Sequence, residues 1–76
     1  MNKSKKQVDG FAAALKTKES CKEILGFVGV AARYILSITD SGPVVEIVVK
    51  QADYNTAQMA LPYTIGSANV KITKKS

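Results

Sequence analysis

The chain contains no histidine, one cysteine and no long apolar run. Without histidine there is no imidazole base, no Ser-His-Asp triad and almost no zinc chemistry. The single thiol, Cys21, forms no intrachain disulfide and no two-cysteine metal pair. The longest apolar stretch, residues 24–32, ends at Arg33 and is under half of the ~20 residues a membrane span needs. Lys3, Lys5 and Lys6 imitate the charged start of a signal peptide. Asp9, Gly10 and Lys16 follow in place of an apolar core. The expectation is a non-enzymatic protein with no metal, no cofactor and no membrane, in a reducing, cytoplasmic setting.

At 76 residues and 8.1 kDa, residues 1–76 read as one small domain. Such a domain buries only roughly 60% of its unfolded surface. Apolar residues are 46% and charged residues 22%, as in ordinary globular chains. The net charge is +5 and unevenly placed. Residues 1–6 carry Lys3, Lys5 and Lys6; residues 71–76 carry Lys71, Lys74 and Lys75. Neither end has an acid, while the residues between them are nearly neutral.

Ser4-Lys-Lys-Gln7 and Ser20-Cys-Lys-Glu23 have capping-box form. Val8, Phe11, Ala12 and Leu15 make one apolar stripe, which fails past Lys16. Cys21, Ile24, Leu25 and Val28 make another at a different angle. Two short helices, or one kinked near Thr17–Ser20, are expected, with Gly26 and Gly29 as stops. Residues 33–39 and 44–50 are β-rich and flank Asp40-Ser-Gly-Pro43, which is strong turn chemistry. They predict an antiparallel hairpin. Tyr34, Leu36, Ile38, Val45, Ile47 and Val49 fall on faces drier than the opposite ones. Asp53 caps a short helix that ends before Pro62. Residues 63–65 are extended, 66–69 form a turn, and 70–74 alternate as a strand. The expected class is α+β: a mainly antiparallel sheet of about three strands, with helices packed on one face, in the order α(α)ββαβ. A ferredoxin-like βαββαβ arrangement lacking its first strand gives this order.

Few residues point to chemistry. Glu19 and Glu23, four residues apart and flanked by Lys18 and Lys22, read as a solvated helix face. Cys21 follows a helix-start serine, yet it shares an apolar stripe and reads as structural. Gly26-Phe-Val-Gly29 lacks both the P-loop lysine and dinucleotide-loop spacing. The turn at Gly66-Ser67 offers an anion backbone N–H groups and a hydroxyl, with Lys71 nearby. Arg33-Tyr34 is the one adjacent basic–aromatic pair, and Tyr54 and Tyr63 flank a lysine-free polar segment. A binding module for an anionic ligand, nucleotide or nucleic acid, would use Arg33, Tyr34, Tyr54, Tyr63, Ser67 and Lys71. Lys3, Lys5, Lys6, Lys74 and Lys75 would contact a nucleic-acid backbone. The alternative is a protein-interaction module, such as a small inhibitor or adaptor, acting through a sheet edge or residues 53–69. In either case a small core with open strand edges favours a homo-oligomer, most simply a dimer.

Overall fold

One unbroken helix, α1 (Asn2–Phe27), takes the place of the two short or kinked ones expected. The computed structural model describes the backbone of residues 2–75 and side chains from Gly10 to Lys75. The buried face runs through a threonine and is not the one that Phe11, Ala12 and Leu15 make. Ala14, Thr17, Cys21 and Leu25, spaced 3, 4 and 4, form the buried face of α1. Thr17 is 3% exposed because its hydroxyl donates to the Ile65 carbonyl at 2.7 Å, so the buried polar group is satisfied. Phe11 and Leu15, expected inside, are instead 48% and 40% exposed, and Ala12 is exposed too. Ser20 lies in mid-helix, not at a start. Val8 and Ser4 have side chains outside the described residues.

The helix ends in a Schellman motif. Gly29 takes φ +74, its N–H donates to the Gly26 carbonyl at 3.2 Å, and the Val30 N–H donates to the Leu25 carbonyl at 2.8 Å. Val30 and Leu25 are both buried, which supplies the apolar contact that accompanies this cap.

The chain then forms β1 (Ala32–Thr39) and β2 (Gly42–Lys50), an antiparallel hairpin as expected. At the turn the Thr39 hydroxyl accepts from the Ser41 N–H at 3.2 Å and donates to the Gly42 carbonyl at 2.9 Å. A 3-10 turn (Gln51–Asp53) leads into α2 (Tyr54–Ala60). Asp53 is the N-cap residue but makes no side-chain capping bond. Leu61 is extended ahead of Pro62. Two more strands follow, β3 (Thr64–Ile65) and β4 (Ala68–Lys75).

The sheet therefore has four strands, not about three, in the order β1-β2-β4-β3. The extra one is two residues long. Thr64 and Ile65 pair with Asn69 and Ala68, because the turn needs only Gly66 and Ser67. The central pair, β2 and β4, is parallel, with Val45 opposite Val70 and Ile47 opposite Ile72. Both helices pack against one face. There Val45, Ile47 and Val49 meet Leu25, Cys21 and Ala57, with Ala68 and Val70 from β4. Among the described residues, no helix is long and apolar enough to cross a membrane.

Gly42 sits at φ +111, where a Cβ is strained although space is open. Gly42→Val is expected to cost about 1 kcal/mol or more. For a domain of this size that lowers Tm by roughly 4–8 °C per kcal/mol. Thermal melts followed by circular dichroism check this; an unchanged Tm would show that the turn is not what holds the hairpin.

Candidate functional site

The sheet has one uncovered face. Strand alternation sends Arg33, Ile35 and Ser37 there from β1, Val44, Glu46, Val48 and Lys50 from β2, and Asn69, Lys71, Thr73 and Lys75 from β4. The parallel register sets Lys50 directly beside Lys75, on strands about 4.8 Å apart. Like charges so placed repel. Arg33 pairs with Val48, two residues from Lys50, and so joins them at one end of the sheet. Lys71 lies in the row of Glu46 and Ile35. All four cations are exposed. Among the described residues, Glu46 is the one acid on this face, and it accepts from the Thr73 hydroxyl at 3.3 Å. Asp40 is in the hairpin turn, Asp53 in the 3-10 turn, and Glu19 and Glu23 on α1. The face thus carries four cations against one carboxylate, over an apolar floor of Ile35, Val44 and Val48.

Of the residues singled out from the sequence, the fold brings Arg33, Lys71 and Lys75 together. It adds Lys50, which sequence reasoning missed. Only the non-local β2–β4 register reveals Lys50, since nothing near it in the chain marks it. The C-terminal lysines are not a separate basic end: they belong to β4 and adjoin residues of the nearly neutral middle. Tyr34 points the other way, half-buried in the core, with its phenol pushed up by burial and, secondarily, by Cys21 and Glu19. Lys74 also points to the covered face, where its Nζ stands 4.9 Å from the Tyr54 ring centroid. That is cation–π distance, so the two occupy one another. Ser67 and Lys71 do not share an anion-holding turn. Ser67 lines a groove of about 340 Å³ with Lys16, Thr17 and Ser20. Lys71 lines a different groove of about 380 Å³ with Tyr63, Pro62 and Gln58. Lys3, Lys5 and Lys6 fall within α1, and their side chains are outside the described residues.

Cys21 is fully buried, and desolvation raises its thiol above the ordinary value of 9.0. A neutral, inaccessible thiol is a poor nucleophile. Among the described residues, no three of His, Cys, Asp and Glu gather as metal ligands. What the open face offers is electrostatic: a broad, shallow, positive surface. Comparison with protein-family models, characterised proteins and solved structures returns no match to this chain.

Cys21 and Tyr34 both have folded values above their unfolded ones. The folded state therefore holds these protons more tightly. Their contribution to stability is complete below pH 9.0, the unfolded thiol value, and is lost as pH rises through the raised values. Urea unfolding is expected to show stability declining above about pH 9, with a shallower decline in Cys21→Ala. A curve level to pH 11 would contradict the burial of both groups.

Proposed function

We propose that the chain is a small non-enzymatic binding module whose ligand is nucleic acid, held by its phosphates on the open face of the sheet. The observation that carries this reading is the juxtaposition of Lys50 and Lys75, with Arg33 beside them and Lys71 four residues from Lys75 on the same strand. Setting two ammonium groups side by side costs stability, and a bound anion offsets that cost. Lys71 and Lys75 are about 13 Å apart along β4, at ~3.3 Å per residue. That spread suits a chain of phosphates better than one nucleotide. The mixed apolar floor tolerates sugars and bases without reading sequence, so phosphate contact dominates.

Anisotropy titrations at several salt concentrations test it. Four phosphate contacts give a slope of log K against log salt near −3 to −3.5. The double variant Lys50→Gln, Lys75→Gln is expected to flatten that slope by roughly 1.5. Lys16→Gln, on α1, leaves it unchanged. A wild-type protein that binds no oligonucleotide at low salt would sink the reading and favour the protein-interaction one.

The other edge favours a second copy. We propose a homodimer through β1, a terminal strand of eight residues without proline. Ile35 and Ile38 on it are 40% and 43% exposed, and Phe11 and Leu15 are exposed on the helix above. Antiparallel pairing of two β1 strands moves Arg33 of each copy toward Asp40 of the other and joins both open faces into one surface. Parallel pairing would stack like charges. Sedimentation is expected to give twice 8.1 kDa, and Ile38→Glu a folded monomer. A wild-type monomer at micromolar concentration refutes the dimer.

A further inference from the structure

The groove beside β4 extends the cationic face toward an aromatic ring. β3 is only two residues long, so it covers β4 only as far as Asn69. One more bond follows, the Val70 N–H donating to the Tyr63 carbonyl at 2.7 Å. Beyond that point the outer side of β4 opens into the groove lined by Gln58, Leu61, Pro62, Tyr63, Lys71 and Ile72. Strand alternation aims the Ile72 N–H and C=O to the same side as the Val70 N–H, into this groove.

Tyr63 stands at its rim. Leu61 is buried and extended, and Pro62 fixes the next step, so the chain anchors on Leu61 and carries Tyr63 outward. Tyr63 is 85% exposed. Its two tyrosine counterparts are spent otherwise, Tyr34 in the core and Tyr54 beneath Lys74. A lone exposed aromatic is ordinary. This one shares a groove with Lys71, a member of the cationic face, and with the amide of Gln58.

We propose that Tyr63 is a stacking platform for a base of single-stranded nucleic acid, with Lys71 on the neighbouring phosphate and Gln58 and the Ile72 backbone at the base edge. The proposal rests on the phosphate-binding reading above and specifies its substrate class. A duplex hides its base faces in its own stack, whereas an unpaired strand presents them, so the preference is for single strands.

The chain has no tryptophan, so Tyr63→Trp installs a single indole at the site, excited at longer wavelength than Tyr34 and Tyr54. Titration with a short oligothymidylate is expected to quench it; the same length of duplex leaves it bright. Tyr63→Ala is expected to weaken binding of the single strand by about 5- to 150-fold. It should leave the salt slope and duplex binding unchanged, and Tyr63→Phe should restore affinity. Because the side chain is exposed, both variants are expected to keep the wild-type melting curve, which circular dichroism verifies. Salt-sensitive binding that is indifferent to Tyr63→Ala would overturn the stacking site while leaving the phosphate face standing. Absence of binding to any oligonucleotide at low salt overturns the phosphate face and the stacking site together.

Discussion

Only one layer of helix covers this sheet, and β2 lies at the centre of what that layer covers. Val45, Ile47 and Val49 are buried against Leu25, Cys21 and Ala14. Among the described residues, Leu25, Ile47, Val45, Val49 and Cys21 are the largest fully buried side chains. The alternation along β2 admits no slip. Moving β2 by one residue would turn Glu46 and Lys50 into the core and expose the three aliphatic residues. The core therefore dictates the surface. Because Ile47 must face α1, Lys50 must face away from it. The parallel register that seats Val70 and Ile72 beside β2 then brings Lys75 to its side. Core packing and the positive face are two readings of one strand pattern.

Thr17 shows how a polar residue joins such a core. Its hydroxyl reaches the carbonyl of Ile65, next to the turn that carries the chain from β3 into β4. The bond ties α1 to the far edge of the sheet and lets a continuous helix replace what hydrophobicity alone divides in two. Phe11 and Leu15 are displaced to the flank as a result. The small residues Ala14 and Thr17 bring helix and sheet close, and larger side chains are turned aside.

Local chemistry made much of this legible in advance. The hairpin, its turn at Gly42, the helix following Asp53 and its end before Pro62 all rest on signals within a few residues. So did the wet and dry faces of β1 and β2. What escaped was either polar or distant. Thr17 read as an interruption because its partner lies 48 residues away. Ala68 and Asn69 look like turn in the sequence because their partner strand, β3, is only two residues long. At the candidate site, Arg33, Lys71 and Lys75 were visible singly as basic residues. Lys50 was not, since only β2–β4 pairing makes it their neighbour. Tyr34 and Tyr54 looked like ligand contacts from composition, but alternation and Lys74 occupy them elsewhere.

The parallel pairing of β2 with β4 also sets an order of assembly. Helix α1 and the β1–β2 hairpin are built from neighbouring segments and close over short loops. Val45 meets Val70 only after the intervening turn, α2 and β3 have been threaded across. That non-local closure, like the Thr17–Ile65 bond, costs loop entropy and is slow beside the local pairing of the hairpin. Until it is complete, the β2 edge that β4 will occupy stays open with its aliphatic residues half-covered. The interval before β4 docks is thus when this chain is most exposed to pairing with a neighbour's strand, and the lysines of β4 reach their places only at its end.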